Sequence, residues 1–204
     1  MNQKQENLFQ ALSQMIKGGA DPVRHEDDLW RRFGETVAVL VMDTSGFSRT
    51  CASHGLVHFL TRLMQLRSIS APLFDAHGCR RLRFEADNAF AAFATVDEAL
   101  CAAEGVHAAI RDAGLMLTRD EPMSVSIGIG YGELLYSETL EGYFGDEMNF
   151  ASKLGEDLGS GRETRITQSA FRMASTGLRE GFRTDKARIS GIEIAHYVRT
   201  AACG

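Results

Sequence analysis

The sequence lacks the signatures of several large protein classes. Its four cysteines include no CxxC pair and its six histidines show no HxH or HExxH spacing, so neither a disulfide framework nor a zinc site is expected. The formal net charge is −5 at pH 7, so positive charge is not in excess. No broad basic surface for nucleic acid is therefore expected. The cysteines are expected to remain reduced thiols: Cys51, Cys79, Cys101 and Cys203.

Long apolar segments are missing as well. No run approaches the ~20 residues that span a bilayer. The N-terminal sequence MNQKQENLFQ lacks the apolar centre of a signal peptide. We therefore expect a cytoplasmic protein with no direct membrane insertion and no nucleic-acid partner.

The sequence does contain enough apolar material for one globular domain. Of its 204 residues, 44% are hydrophobic and 24% are charged, which is the balance of a domain with a buried core. Apolar residues recur at helical spacing from Leu8 to Ile16, and the polar stretch 20–35 is typical of a linker or a second short helix. We divide the chain into an N-terminal helical extension, residues 1–34, and a main domain, residues 35–204.

Three strand patterns organise the main domain. The apolar run VAVLVM predicts a central strand, buried on both faces, that ends at Asp43. The segment RRLRFEADNAFAAFAT predicts two strands joined by a tight turn at Asp87-Asn88. In SVSIGIGYGELLY, branched residues alternate with small ones, so one face should pack and the other should allow close backbone approach.

Helical patterns lie between and after these strands. The apolar series Leu56, Leu60, Leu63 and Met64 predicts a helix in a segment that Pro72 and Gly78 close. A second helix is expected with Leu100, Ala103, Val106 and Ile110 on one face, and a third over 146–158. The resulting order β-α-β-β-α-β predicts an α+β fold, a ferredoxin-like sheet with helices on one face and additional C-terminal strands.

Two aspartates are candidates for cation binding. Asp43 leaves a buried strand just before the small-residue turn TSGF, where backbone N–H groups are exposed to phosphate oxygens. Alone, Asp43 is equally well explained as a helix or turn cap, and Asp87 as a turn residue. On adjacent strands, however, two carboxylates without a basic partner repel each other unless a cation lies between them. Two-metal phosphoryl chemistry uses this arrangement.

Four segments together resemble a known family. VLVMDTSGF, RFEADNAFAAF, SIGIGYGEL and YFGDEMNFASKL resemble the successive motifs of class III adenylyl and guanylyl cyclase domains, in the family's order, over about residues 35–170. The resemblance implies closure of a nucleoside triphosphate into a 3′,5′-cyclic monophosphate with release of pyrophosphate. It also implies two divalent cations, Mn²⁺ or Mg²⁺, as cofactors. Because cyclases of this class build each active site between two domains, a homodimer is expected.

The same resemblance implies the metal and phosphate residues. Asp43 and Asp87 would bind the two cations, and the backbone carbonyl of Thr44 would complete one of them. Gly46 and Phe47 would form the turn that covers the phosphates.

The family's transition-state pair corresponds to Asn149 and Lys153. Their i,i+4 spacing places them on one helical face. The family has arginine at the second position. Lysine keeps the positive charge of arginine but lacks the two parallel hydrogen bonds that a guanidinium can donate, so weaker catalysis is expected. A solvated helix lysine is the alternative interpretation of Lys153.

The base-reading positions depart from the purine cyclases of this family. Those enzymes have lysine or glutamate at the position of Arg83, and aspartate, threonine or cysteine at the position of Gly142. Arginine presents more donors and fills more of the base site, which favours a pyrimidine. Uracil offers two carbonyl acceptors, whereas the cytosine amino group would oppose a guanidinium, so UTP is favoured over CTP. Glu85 lies on the strand face of Arg83 and would orient it or accept the N3–H of uracil; a surface ion pair between the two is the alternative.

This pattern resembles the stand-alone pyrimidine cyclases of bacterial antiphage systems, whose cyclic UMP or cyclic CMP activates a separate effector. Three other functions stay open: a cytidylate cyclase, a purine cyclase with an unusual base pocket, and a non-catalytic nucleotide-binding homologue. The last is motivated by Gly142, by Lys153, and by Ala86 where the family has glycine. Retention of both aspartates favours an enzyme.

Overall fold

One mixed β-sheet organises the structure. The computed structural model describes residues 7–138, 142–158, 161–189 and 192–201. Within these ranges the strands are β1 (Gly34–Thr44), β2 (Arg81–Glu85), β3 (Asn88–Phe93), β4 (Val125–Ser137), β5 (Gly142–Phe144), β6 (Glu163–Thr167), β7 (Arg183–Ile189) and β8 (Ile192–Thr200). Their order in the sheet is β2-β3-β1-β4-β6-β8-β7, with β5 paired to β4. The first four strands therefore have the predicted ferredoxin-like order, and the later strands extend the sheet beyond β4.

The helices connect these strands. They are α1 (Leu8–Lys17), α2 (Glu26–Phe33), α3 (Phe47–His54), α4 (Leu56–Ala76), α5 (Val96–Asp112), α6 (Asp146–Ser152) and α7 (Gln168–Met173). Short 3₁₀ turns span Pro22–His25 and Gly177–Arg179, and a π-helical turn spans Lys153–Asp157 directly after α6. The polar stretch after α1 thus contains a second short helix rather than only a linker.

The centre of the molecule is β1, which is buried on both faces. It pairs antiparallel with β3 on one side and with β4 on the other. Its even-numbered residues pack under α4 and α5 in the main hydrophobic cluster. Its odd-numbered residues belong to a second cluster on the opposite face. The two sets are Ala38, Leu40 and Met42, and Val37, Val39 and Val41, each at most 2% exposed.

Helix α6 corrects the expectation that helices cover one face only. Its residue Ala151 packs with the odd-numbered residues of β1, on the face opposite α4 and α5. The approach is possible because Gly128 of β4 has no side chain: a Cβ there would lie 2.6 Å from the nitrogen of Gly155 and closer still to the carbonyl oxygen of Ala151. The predicted close-approach face of β4 is therefore covered by a helix.

Helix α4 ends just before Gly78, one of the two residues predicted to close this segment, but it is not interrupted at the other, Pro72. The proline lies within the helix, which continues to Ala76. Residues around it, Leu66, Ser70 and Phe74, are completely buried, so tertiary packing outweighs the hydrogen bond that the proline cannot donate.

Only one member of the predicted apolar series of α4, Leu63, faces the core. Leu56, Leu60 and Met64 are exposed at 54%, 45% and 59%, whereas Phe59 and Leu63 face the core. Helical spacing alone does not say which of two apolar stripes a sheet covers.

The N-terminal helices pack together at one end of the sheet. Leu8 and Ala11 of α1 and Leu29 of α2 form a small buried cluster with Leu135 of β4 packed against it. The division at residues 34 and 35 remains a prediction. Cys203 lies outside the described residues, and no described helix is long and apolar enough to cross a membrane.

The close contact of α6 with β4 yields a stability prediction. Gly128→Ala should lower the free energy of unfolding by about 3 kcal/mol or more, because the new methyl group meets backbone atoms that cannot move separately. Thermal unfolding should then shift downward by about 6–12 °C. The matched control is Gly132→Ala, whose Cβ would meet only side-chain carbons of Glu147, the nearest at 3.1 Å, and no backbone atom within 4 Å. Equal effects of the two substitutions would contradict this packing.

Candidate functional site

The two candidate aspartates meet at one edge of the sheet. Asp43 is paired across β1 and β3 with Asn88, the neighbour of Asp87. The Thr44 hydroxyl donates a 2.9 Å hydrogen bond to the backbone carbonyl of Asp87. The structure therefore brings Asp43, Thr44 and Asp87 together, as the order of the strands predicted.

The charges at this edge repel each other. Burial first, and then the nearby carboxylates of Asp87 and Glu156, raise the pKa of Asp43 to about 7, while the backbone N–H of Thr44 acts in the opposite direction. Burial also raises the pKa of Glu156, and Asp157 and Asp87 add to this effect while Lys153 opposes it. A bound cation would remove this conflict.

The atoms at this edge that could bind a cation are mainly oxygens. The side-chain nitrogen of Asn88 donates to Glu156 Oε1 over 3.3 Å, and its buried Oδ1 has no hydrogen-bond partner among the described residues. Carboxylate, amide and carbonyl oxygens suit Mg²⁺ or Mn²⁺. Within the same residues no group of three or more His, Cys, Asp or Glu side chains is arranged to hold a metal. A cation bound at this edge would therefore complete its coordination with water or substrate oxygens, as Mg²⁺ commonly does.

Two residues at this edge, Asn88 and Glu156, were missed by sequence reasoning. Asn88 was interpreted only as a turn residue. Glu156 lies on the π-helical turn, and π-helical insertions are frequent at functional sites but leave no simple sequence pattern.

The turn after β1 leads directly into α3, whose N-terminus has no side-chain cap among the described residues. Gly46 has a φ of 91° and precedes the first residue of this helix. Its first backbone N–H groups are therefore available to an anion. Phe47 is 39% exposed and meets Phe59 edge-on, with ring centroids 4.8 Å apart.

The hairpin between β2 and β3 differs from prediction by one residue. Glu85 pairs with Asn88, so the turn residues are Ala86 and Asp87 rather than Asp87 and Asn88. Ala86 has a φ of 49°, in the left-handed region that costs about 1–2 kcal/mol for a residue with a Cβ. Alanine therefore adopts here a conformation for which glycine is better suited.

A groove of about 740 Å³ lies on the same face of the sheet as Asp43. Arg83, Glu85 and Gly142 all line it, so the structure brings together the three candidate base-reading residues. Arg83 Nη1 is 3.1 Å from Glu85 Oε2, and its guanidinium lies 4.9 Å above the ring of Phe90. Its Nε is buried without a hydrogen-bond partner among the described residues.

Sequence reasoning missed another wall of this groove. Arg81 binds both oxygens of Glu35, at 2.8 and 3.1 Å, and its guanidinium stacks 3.8 Å from the ring centre of Tyr136. The hydroxyl of Tyr143 donates to Glu35 over 2.8 Å and also contacts Arg81. Burial, and then Glu35, raise the pKa of Tyr143. These four side chains form a rigid support beside Arg83.

Strand register fixes the separation of the two regions. Arg83 pairs with Phe90, and Phe90 pairs with Val41, two residues before Asp43 on the same face. Two strand spacings and two residues of rise separate the Cα atoms of Arg83 and Asp43 by about 12 Å. The acidic edge and the groove are neighbouring parts of one surface.

The candidate transition-state residues lie on and after α6. The backbone N–H of Lys153 donates to the carbonyl of Asn149, so the two share a helical face. Asn149 is exposed, and Lys153 Nζ is 3.1 Å from Asp157 Oδ2. The start of α6 is anchored by Glu147, whose Oε2 accepts from the backbone of Tyr131 at 3.0 Å.

Comparison with solved structures identifies the fold. The adenylate/guanylate cyclase/hydrolase from Silicibacter pomeroyi superposes with a TM-score of 0.72 at 21% identity, covering 83% of this chain and 98% of that one. The chain has the fold of the class III nucleotidyl cyclase catalytic domains. A converted-specificity rhodopsin-guanylyl cyclase core in complex with ATPαS gives a TM-score of 0.68 at 18% identity, covering 82% and 96% of the two chains. The guanylate cyclase domain of RhGC from Catenaria anguillulae, in complex with GTP, gives 0.65 at 17%, covering 82% and 97%.

A scan against protein-family models and a search of curated proteins each found no match. The cyclase fold is thus established by architecture. The roles of the individual residues remain predictions, which the geometry at the sheet edge and in the groove makes specific.

Cation binding at the acidic edge of the cyclase fold is testable by thermal unfolding. Mn²⁺ at about a hundred times its dissociation constant should stabilise the protein by about 2.7 kcal/mol and raise the midpoint by about 5–10 °C. Asp43→Asn should abolish this shift and raise the metal-free midpoint, because one of the repelling carboxylates is removed. Asp120→Asn, at an exposed loop position, is the control and should keep the full shift. An undiminished Mn²⁺ shift in Asp43→Asn would contradict the assignment.

Proposed function

We propose that the chain is a nucleotidyl cyclase that converts UTP to 3′,5′-cyclic UMP and pyrophosphate. The observation that carries the proposal is that the acidic edge of Asp43 and Asp87 and the groove of Arg83 lie on one face of the sheet, so that a second copy packed on this face would bring the edge of one protomer to the groove of the other. A uracil-reading group and a cation-binding group then lie on one surface, in a fold whose solved neighbours include nucleotide-bound cyclases.

At the acidic edge, Asp43, Asp87 and the backbone carbonyl of Thr44 would hold two Mn²⁺ or Mg²⁺ ions. When bound, such ions supply Lewis-acid activation of the ribose 3′-hydroxyl and neutralise charge on the triphosphate. The orphaned Oδ1 of Asn88 supports the fit, because it adds a hard oxygen beside the carboxylates.

The turn after β1 would bind the triphosphate. Gly46 has the positive φ with which the backbone enters α3, and the uncapped N–H groups of the first turn of this helix would donate to the phosphate oxygens. Phe47, half-exposed and braced by Phe59, would cover the phosphates and exclude water. The side chains in this region position the reacting groups and need no covalent step.

Asn149 and Lys153 would stabilise the charge that develops on the phosphoryl group. Lys153 is paired with Asp157 in the structure, so it must exchange this carboxylate for a phosphate oxygen. A single ammonium also lacks the two parallel hydrogen bonds of a guanidinium. Both features support slower turnover than an arginine at this position would give.

The groove favours uracil through Arg83. Glu85 holds one end of the guanidinium, which supports an orienting role for this carboxylate. The guanidinium N–H groups that Glu85 does not bind match the carbonyl acceptors of uracil, whereas the amino group of cytosine would meet another donor. Gly142 leaves the opposite side of the base without a side chain that could read a purine. A cytidylate cyclase is the alternative, and the assay below separates the two.

A homodimer with two equivalent sites would complete the enzyme. The groove has an apolar floor that includes Val39, Phe90 and Tyr136, and Phe144 at its rim is 45% exposed. A sheet face of this kind needs cover, and a second copy of the chain would provide it. In this arrangement Asp43 and Asp87 of one protomer face Arg83, Asn149 and Lys153 of its partner.

The cyclic nucleotide would act as a second messenger in bacterial antiviral defence, read by a separate effector protein. The support for this part is the resemblance of the Arg83 and Gly142 positions to the pyrimidine cyclases of antiphage systems.

The activity is tested with the purified full chain, Mn²⁺ and each of the four nucleoside triphosphates in turn. Mass spectrometry should detect cyclic UMP as the main product. Asp43→Ala and Asp87→Ala should each retain less than about one thousandth of the activity, a loss of about 4 kcal/mol in transition-state stabilisation. A purine-only product would contradict the assigned base. A wild-type protein without activity on any of the four triphosphates would contradict the proposal that the chain is an enzyme.

Arg83→Lys tests the base-reading role separately. The selectivity for UTP over ATP should fall by about 10- to 100-fold, because the shorter point charge cannot make the same donor pattern. Arg80→Lys, one residue before β2 and exposed, is the matched control and should leave selectivity unchanged. Unchanged selectivity in Arg83→Lys would contradict the base-reading role of Arg83.

Mixing two inactive variants tests whether each site is shared between protomers. Asp43→Ala and Asn149→Ala should each be inactive alone. After mixing and re-equilibration in equal amounts, about a quarter of wild-type activity should return, because half of the dimers contain one intact site of two. Persistent inactivity of a mixture that demonstrably forms mixed dimers would place both residues in the same site within one chain.

A further inference from the structure

We propose that a second cavity, on the helical side of the sheet, binds a small organic carboxylate and couples its binding to the phosphate-binding turn. The cavity has a volume of about 270 Å³ and lies between α5, the start of β4 and the loop 115–124. The residues on which the proposal rests line it: His107, Ile110, Arg111, Met116, Met123 and Arg162. Binding is independent of the proposed cyclase activity.

Charge indicates an anionic ligand. Two guanidinium groups, of Arg111 and Arg162, line the cavity, and no Asp or Glu is among the described residues that line it. Arg111 pairs with Asp112 outside the cavity at 3.0 Å, and Arg162 donates to the carbonyl of Ala201 at 3.1 Å. Burial first, and then the charges of Arg162 and Arg199, lower the pKa of His107 to about 4, so the positive charge of the lining comes from the two arginines and not from this histidine.

Size and lining indicate that the anion has an apolar body. A volume of about 270 Å³ is just below the roughly 300 Å³ at which cavities for drug-sized ligands begin. Ile110, Met116 and Met123 offer apolar contacts around the cationic end, and methionine side chains adapt to ligands of varied shape. A carboxylate with a short hydrocarbon chain fits both properties better than inorganic phosphate does.

The loop 115–124 connects this cavity to the candidate active site. While Met116 and Met123 line the cavity, the next residue, Ser124, accepts a 3.1 Å hydrogen bond at its carbonyl from the backbone N–H of Ser45. Leu117 Cδ2 lies 2.9 Å from where a Cβ on Gly46 would stand. A ligand that moves the loop therefore moves the turn that follows Asp43.

Two further contacts hold the loop to the helices after that turn. Glu121 forms an ion pair with Arg49 of α3, and the carbonyl of Leu117 accepts a 2.8 Å hydrogen bond from His58 of α4. The loop is thus fixed on its outer side to α3 and α4, and on its inner side it forms the cavity wall.

Octanoate is the probe for binding, with octan-1-ol as the neutral analogue and inorganic phosphate as the anion without an apolar body. In full-length protein labelled at the methionine methyl groups, octanoate should shift the resonances of Met116 and Met123 saturably and leave exposed Met173 of α7 unchanged. Octan-1-ol and phosphate should bind at least tenfold more weakly. Absence of saturable shifts, shifts confined to other methionines, or equal binding of octan-1-ol would overturn the assigned ligand class.

Matched arginine variants test which guanidinium groups bind the carboxylate of octanoate. Arg162→Gln should weaken octanoate binding by about tenfold or more and Arg111→Gln by severalfold, whereas Arg119→Gln, on the same loop but outside the cavity lining, should have no effect. Should Arg162→Gln fail to fold, Arg111→Gln carries the comparison. Equal octanoate affinity in Arg111→Gln and Arg119→Gln would then contradict the assignment of an arginine-bound carboxylate to this cavity.

Coupling is read without turnover, so its failure is distinguishable from failure of the proposed function. Saturation with octanoate should shift the backbone amide resonance of Gly46 with the same midpoint as the methionine shifts. An unchanged Gly46 resonance at full occupancy would overturn the coupling to the turn.

Discussion

The arrangement of the candidate site depends on the burial of β1, which places repelling carboxylates together at the end of the strand. The strand is buried on both faces, so its last residues are carried from the core to the sheet edge with little freedom to move. Asp43 stands there half-buried, beside Asp87 and Glu156, and its pKa is raised to about 7. A fold that places carboxylates together at the cost of stability commonly does so for binding or catalysis.

Strand register then determines what surrounds this edge. Because β3 pairs with β1 and β2 with β3, the alternation of side chains directs Asp43, Phe90 and Arg83 to the same face. Glycines in β4 allow α6 to lie directly on the sheet, which brings Asn149 and Lys153 to that face as well. One constraint, the packing of β1, therefore positions every candidate group of the proposed enzyme.

Much of this arrangement could be predicted from the sequence, because local patterns and pairing rules determine it. The run VAVLVM, the hairpin of β2 and β3, and the helix α5 follow from apolar periodicity, and the neighbouring positions of Asp43 and Asp87 follow from the pairing of their strands. Contacts between distant segments could not be predicted in this way. Glu156 reaches the edge through a π-helical turn, and the network of Arg81, Glu35 and Tyr143 joins three strands. Which apolar stripe of α4 is exposed depends on which face of the helix the sheet covers. Pro72 is tolerated inside the helix because the residues around it are buried.

The central claim is that Asp43 and Asp87 hold the cations that act on the triphosphate of a pyrimidine nucleotide. Anomalous diffraction from crystals grown with Mn²⁺ and 3′-deoxy-UTP, which lacks the attacking hydroxyl, tests it most directly. The account predicts two manganese peaks within about 2.5 Å of carboxylate oxygens of Asp43 and Asp87, with the uracil beside an Arg83 guanidinium. Manganese bound elsewhere, or a uracil that does not contact Arg83, would contradict it.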